Sequence, residues 1–380
     1  MTSRERLLTV LNGGIPDRVP IAPFIQQEVM ADYFKRADTD RLKDASIMAK
    51  ELGFDLISKN NIHTKPFFLK KSFPNWEVEE KHEIEDGNYF KITTIKTPEK
   101  TFKQVEGVPY KKDILEGIHY VTREFMIKNA DDFEIFRKYI PKQDDEHRKE
   151  IIEKGRFALD YIGQLGINAP WSCGGVFNLV CTFIDVQDLL MDALCDPAYY
   201  KEYMSFFADI SRQDSECYAE SDYDVVGLQG NMANGAMMGA EHFKEFVLPY
   251  EKRAIEPLRE VNKPVLYHNC GIALNLLPCY KELGIKIYET LAPPPVGDTD
   301  LKEAKELFKD TDIVLCGTFD QVEFLKKGKP SDIFAKAAEI VEIGKVGGKY
   351  IFAASDYIEQ NTPLENVKAM LAGALSTAKY

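Results

Sequence analysis

From residue 224 onward the chain alternates short apolar runs with longer amphipathic stretches. Asp224–Gln229, Val265–His268, Ile285–Glu289, Ile313–Cys316 and Tyr350–Ala354 have the length and composition of buried strands. Between and after them lie Ala240–Val261, Asp300–Phe308, Pro330–Ile343 and Pro363–Ala378, each with apolar residues at helical spacing. In the first of these the spacing is carried by Phe243, Phe246, Val247, Tyr250 and Ile255. Strands joined by helices are parallel and are covered on both faces. Three more runs belong to the same set: Arg18–Ala22, Phe54–Ser58 and Gly166–Ala169. Eight parallel strands is the number that closes a barrel. The expectation is an α/β fold, a (β/α)8 TIM barrel in a single domain over residues 1–380.

Residues 65–128 break the alternation. They are rich in Thr, Tyr, Phe, Val and Lys, with alternating runs at Phe90–Thr97, Thr101–Val105 and Tyr120–Phe125. This is the pattern of an antiparallel β-meander inserted after the second strand. It is either a surface elaboration or a rim that shapes the substrate mouth. A helical stretch starting at Asp131–Tyr139 leads back to the barrel.

The composition narrows the partners. Hydrophobic residues make up 44% and charged residues 29%, an ordinary globular balance. A formal net charge of −13 repels phosphate backbones and anionic bilayers, so neither nucleic acid nor membrane is an expected partner. No apolar run approaches the roughly 20 residues that cross a bilayer. Met1–Arg6 is not followed by an apolar signal segment. The seven cysteines (Cys173, Cys181, Cys195, Cys217, Cys270, Cys279 and Cys316) are an odd, scattered set. That suits reduced thiols in a cytoplasmic protein better than a disulfide framework.

The richest segment for chemistry is Val265-Leu266-Tyr267-His268-Asn269-Cys270-Gly271. Residues two apart on a strand share a face, so His268 and Cys270 project together. They lie at the C-terminal end of the fifth expected strand, where barrel enzymes keep their active sites. An imidazole beside a thiolate is half of a zinc site, and the soft sulfur disfavours magnesium and calcium. Further ligands must come from other strand ends. Asp356 follows the eighth strand, sharing a face with Phe352 and Ala354 if the chain stays extended. Glu289 ends the sixth strand on the face of Ile285 and Ile287. Cys316 ends the seventh and is a rival third ligand. Each has a plainer role open to it: a helix cap or substrate contact for Asp356, a packed core thiol for Cys316.

Other strand ends carry amides. Gln229 and Asn231 follow the fourth strand, and Gln26 and Gln27 follow the first. Gln229, Asn231 and Gln26 are candidates for holding substrate oxygens, with loop hydrogen bonding as the alternative. The Cys173-Gly174-Gly175 turn lacks a phosphate-loop lysine and the full dinucleotide glycine pattern. His63, His82, His119, His147 and His242 lie in polar, inserted or helical stretches and are read as structural or exposed.

Arg4-Glu5-Arg6-Leu7-Leu8 running into Pro16-Asp17-Arg18-Val19-Pro20-Ile21, then Phe246-Val247-Leu248-Pro249-Tyr250 and His268-Asn269-Cys270-Gly271, carry a resemblance to the uroporphyrinogen decarboxylase-like superfamily. It continues in Gly297-Asp298-Thr299-Asp300-Leu301, Gly317-Thr318-Phe319-Asp320 and Thr362-Pro363-Leu364-Glu365-Asn366-Val367, and so covers nearly the whole chain. It implies a (β/α)8 barrel. The decarboxylase branch holds tetrapyrrole carboxylates with an arginine-rich N-terminal segment, whereas Ile21–Gln27 contains no arginine. The corrinoid-dependent methyltransferase branch binds zinc through His-x-Cys and a later Cys. Here His268 and Cys270 match, and Asp356 stands at the later position.

An oxygen donor in place of a third thiolate leaves zinc a stronger Lewis acid, suited to activating an ether oxygen. The resemblance therefore implies a zinc-dependent methyltransferase acting as an O-demethylase. It would take methyl from a methoxylated compound, with an aromatic one permitted by the composition. The acceptor would be Co(I) of a corrinoid. In this reading His268, Cys270 and Asp356 hold zinc, and Glu289 is a fourth ligand that loosens when substrate binds, or a nearby acid. The chain shows no Asp-x-His-x-x-Gly corrinoid motif, so the cobalamin-type cofactor would arrive on a partner protein docking at the barrel mouth. A homodimer is compatible with the sequence. The rivals are a methylcorrinoid:thiol or amine methyltransferase, a metal-free lyase, and a non-catalytic binding barrel.

Overall fold

In a computed structural model that describes residues 1–59, 65–110, 120–172 and 175–380, the apolar runs of the alternation pair in parallel. In chain order the strands are β1 (Leu56–Ser58), β2 (Glu77–Glu85), β3 (Asn88–Lys96), β4 (Thr101–Pro109), β5 (Val121–Glu124), β6 (Gly166–Asn168), β7 (Val226–Gln229), β8 (Val265–His268), β9 (Ile287–Leu291), β10 (Val314–Phe319) and β11 (Tyr350–Ala354). Five form one ladder in the order β11-β10-β9-β8-β7, and β1 pairs with β6. Among the described residues no ladder runs unbroken round a ring. The gaps are spanned by isolated bridges and a few backbone hydrogen bonds. Ile21 bridges Phe352 and Trp171 bridges Gly227, both in parallel sense. Asp55 N–H donates to Ile21 O at 2.7 Å, and Gly227 N–H donates to Pro170 O at 2.8 Å.

The run Arg18–Ala22, expected as a first strand, is reduced to isolated bridges, Ile21 to Phe352 and Arg18 to Lys379. Its prolines explain this: Pro20 has no N–H to give to a ladder, and Pro23 stops the run. Prolines also divide the helix expected over Ala240–Val261. Three helices stand there, Ala240–Phe246, Leu248–Ala254 and Glu256–Glu260, the latter two with Pro249 and Pro257 in their first turns.

Two apolar layers sit on either side of the parallel strands. One, the interior, collects Ile57, Ile167, Val225, Leu266, Ile287, Val314 and Ile351. Leu7, Val10 and Leu11 of helix α1 (Ser3–Leu11) belong to the same cluster. Arg4 ties α1 to Gly166 O and to Asp224, residues at the N-terminal starts of β6 and β7. The helix therefore covers the end of the interior opposite the strand C-termini. The other layer contains Leu228, Tyr267, Tyr288, Leu315 and Phe352, which pack against the surrounding helices.

Residues between β1 and β6 include the antiparallel sheet β2-β3-β4-β5. Its buried side, Ile95 and Phe102, joins the outer apolar layer with Trp76 and Phe136. The strand β2 is nearly all charge (Glu77-Val78-Glu79-Glu80-Lys81-His82-Glu83-Ile84-Glu85) and so gave no apolar alternation. It is held by its register with β3 and by pairs such as Lys96 to Glu79 at 2.7 Å. No described helix is long and apolar enough to cross a membrane.

Behind the strand ends, Glu251 is fully buried at the start of the helix Val176–Phe183 and accepts the Phe177 N–H at 3.4 Å. A Cβ on Gly175 would lie 2.8 Å from this carboxylate, which requires the glycine. Burial raises the Glu251 carboxyl to about 7, against the pull of the Val176 and Phe177 N–H groups. A raised acid binds its proton more tightly in the native state. Its contribution is therefore full at low pH and is lost as pH rises from about 4.5 to about 7. Glu251→Gln should flatten that segment of the stability-versus-pH curve by roughly 3 kcal/mol. Denaturant titrations of both proteins at several pH values measure it, and parallel curves would refute the assignment.

Candidate metal centre

β8 ends at His268, and the next residues turn away from the ladder. Asn269 is fully buried and donates to Ala233 O at 3.1 Å and to the Tyr280 hydroxyl at 2.7 Å. Gly271, at φ +88°, allows the turn that follows. Between these two anchors Cys270 is placed beside His268. From the other side of the mouth β11 ends at Ala354, and a bend through Ser355 brings Asp356 in. One ligand atom from each of His268, Cys270 and Asp356 falls within 4.8 Å of the others. His268 Nε2 is 3.7 Å from Asp356 Oδ1.

The two ring nitrogens of His268 face different groups. Nδ1 lies 3.1 Å from Glu289 Oε2, while Nε2 faces the cluster. Glu289 is 2% exposed, and its other oxygen accepts from Lys59, which stands one residue beyond β1. The Lys59 ammonium also lies 3.8 Å above the Phe24 ring. Burial opposes charge on both Glu289 and His268, but the neighbours win. Lys59 and His268 hold the Glu289 carboxyl down to about 2. Asp356, Cys270 and Glu289 raise His268 to about 10.

Three aromatic rings stand around this centre. Trp171 meets His268 edge-on with centroids 5.4 Å apart, and Phe24 lies 6.3 Å from both Trp171 and Tyr357. Trp171 sits over Gly227, where a Cβ would come within 2.5 Å of its ring.

The sequence candidates separate into three groups. His268, Cys270 and Asp356 converge. Glu289 is adjacent, but its carboxylate engages the far side of the imidazole and Lys59 rather than the cluster. Cys316 lies outside the cluster. It is 1% exposed among the interior apolar side chains, and burial pushes its thiol well up. Of the amides, Gln229 is paired in register with His268 and is half-buried. The Asn231 side chain is taken up by Asn178, whose Nδ2 donates at 2.6 Å. Gln26 precedes the helix Gln27–Phe34 without capping it through its side chain. His82 stacks on Tyr89, His147 contacts Asp214 at 3.0 Å and His242 stacks on Phe246. His63, His119 and the Cys173-Gly174 turn lie outside the described residues.

Lys59, Trp171, Phe24 and Tyr357 were not singled out from sequence. A signal existed for two of them. Lys59 follows interior-facing Ile57 by two residues, and Trp171 follows Ile167 and Ala169 at the same period.

An imidazole, a thiol and a carboxylate are mixed N, S and O donors that could together hold a metal ion. The Glu289 contact on the far nitrogen is of the kind that orients a histidine and sets its tautomer when the other nitrogen binds a metal.

Residues 158–374, more than half of the chain, match the family Uroporphyrinogen decarboxylase (URO-D). A stretch of 168 residues is 24% identical to the methylcobamide:CoM methyltransferase MtbA of Methanosarcina mazei, covering 44% of this chain and 46% of that protein. Another of 153 residues is 25% identical to the methylated-thiol–coenzyme M methyltransferase of the same organism, covering 40% of this chain and 38% of the relative. The chain thus spans less than half the length of each of these curated relatives. The solved structure of a methyltransferase from Methanosarcina mazei superposes over 99% of both chains, with a TM-score of 0.66 at 19% identity, a likeness of fold.

Proposed function

Since the chain belongs to the uroporphyrinogen decarboxylase (URO-D) family, whose match covers the segments that carry His268, Cys270 and Asp356, we propose a function built on those three residues. The chain is a zinc-dependent methyltransferase that moves a methyl group from a methoxylated aromatic compound to Co(I) of a corrinoid carried by a partner protein. The observation that carries this reading is the His268–Cys270–Asp356 cluster, with a carboxylate where a third thiolate would make the metal electron-rich.

When bound, zinc supplies a Lewis acid for the ether oxygen, and the corrinoid supplies the nucleophile for the methyl carbon. The protein residues set the geometry. Glu289 holds His268 by Nδ1 so that Nε2 faces Cys270 and Asp356. Trp171, Phe24 and Tyr357 form an apolar wall against which an aryl ring can lie and which keeps water from the ether carbon. Gln229, beside His268 on the neighbouring strand, is placed to hold a further substrate oxygen. With both groups bound, the ether C–O bond would break with its electron pair left on oxygen as the methyl is transferred to the corrinoid, and the phenoxide would take its proton from solvent on release. Porphyrinogen decarboxylation is disfavoured because Ile21–Gln27 offers no arginine to hold carboxylates.

The names of the two relatives favour a second reading, methyl transfer from a methylcorrinoid to a thiol. Zinc-loaded protein incubated with Co(I) cobalamin and 2-methoxyphenol should give methylcobalamin, followed by its visible spectrum. Formation of methylcobalamin supports O-demethylation. Demethylation of methylcobalamin by 2-mercaptoethanesulfonate, with no reaction of the ether, overturns it in favour of the second reading. If neither couple turns over, both fail and a lyase becomes the better account.

A further inference from the structure

We propose that Lys59 is a positioning residue of the metal centre. It fixes Glu289 against Nδ1 of His268, so that Nε2 is presented to the metal and the fourth coordination position stays open. The inference rests on the zinc reading above.

Lys59 is only 3% exposed. Placing an ammonium there is costly unless it is paired. Among the described residues its ionic partner is Glu289, and its ammonium also lies over the face of Phe24 at 3.8 Å, a cation–π arrangement. Lys59 thus occupies one Glu289 oxygen and His268 the other. A carboxylate held at both oxygens does not turn toward the cluster to become a ligand. A metal held by His268, Cys270 and Asp356 would thereby keep a position for the substrate.

Formal charges favour the same arrangement. A divalent metal bound by the Cys270 thiolate and the Asp356 carboxylate is already neutralised by its own ligands. Glu289 would then be an uncompensated buried anion. Lys59 compensates it from the side away from the metal, which lets a carboxylate orient the histidine without being drawn into the coordination sphere.

The test is zinc affinity by competition with a chromophoric chelator, for wild type, Lys59→Met, Glu289→Gln and the double variant, with unfolding curves run alongside. Lys59→Met should bind zinc roughly 10–100-fold more weakly, as outer partners of metal-bound histidines do when removed. In the Glu289→Gln background the same change should have no further effect, because Lys59 acts through that carboxylate. A purely structural role would instead lower the unfolding midpoint equally in both backgrounds. If Lys59→Met does not fold, Lys59→Gln carries the same expectation. A folded Lys59 variant with zinc affinity within ~3-fold of wild type overturns the inference and leaves the methyltransferase reading standing. Absence of zinc binding by wild type overturns both.

Discussion

Wild-type protein is expected to hold about one zinc per chain, and His268→Ala to hold none, with methyl transfer reduced at least ~10³-fold. The size of the effect follows from what the substitution removes. His268 is the only nitrogen donor of the cluster, and its Nδ1 is held by Glu289 at 3.1 Å. Its loss leaves one thiol and one carboxylate, too few for a catalytic zinc site, and strands the buried Glu289–Lys59 pair without its third member. Cys270→Ser should have a similar effect on zinc, because a hydroxyl does not ionise to give the soft donor that the metal selects. Cys316→Ser is the control. Its thiol is buried in the interior apart from the cluster, so zinc should stay at the wild-type level. Elemental analysis of the four proteins measures this directly. Zinc retained by His268→Ala, or lost only in Cys316→Ser, would place the metal elsewhere.

At the opposite end of the barrel, Asp55→Ala is expected to cost about 3–5 kcal/mol of stability. Asp55 is fully buried and bound on every side. Arg6 and Arg18 each approach it at 2.7 Å, and the Ile21 N–H donates at 2.8 Å. Removing it leaves a buried guanidinium, a second one largely buried, and an unpaired backbone N–H, each of which must be resolvated or unfold. It also removes the side-chain half of the attachment of run 18–22 to the chain just before β1, leaving the backbone bond from Asp55 N–H to Ile21 O. Asp17→Ala tests the argument. Asp17 also pairs with Arg6 at 2.7 Å, but its side chain is 42% exposed, so its loss should cost under ~1 kcal/mol. Denaturant midpoints at neutral pH compare the two. Equal shifts would show that burial of the pair is not what matters.

Much of this architecture was legible because barrels write themselves in alternation. The boundaries of β8 and β11 read from sequence are those observed, and the expectation that His268 and Cys270 project together matches their convergence. Asp356 was found for a reason that does not hold. The extended-chain argument put it on the face of Phe352 and Ala354, yet those two point outward to the helices, and Ile351 and Ala353 point inward. The bend after Ala354 resets the parity and carries Asp356 to the mouth. Glu289 lies on an expected strand, but two residues before its end, since β9 runs from Ile287 to Leu291; which nitrogen of His268 it meets depends on side-chain geometry that periodicity does not encode. Lys59 went unnoticed because a lysine after a short apolar run normally marks the return to solvent. Glu289 across the interior supplies the partner that a buried lysine needs.

The bend that delivers Asp356 has a consequence for how such a centre can diversify. Two donors are bound to the frame, since His268 ends a strand and Cys270 is pinned by the Asn269 anchor beside it. The third is borne by a turn outside every ladder, so exchanging it leaves the strand register untouched. One codon there would trade an oxygen donor for sulfur and retune the acidity of a metal held by the three residues. The fold, in this sense, separates two donors fixed by the strand frame from a third that a turn can exchange.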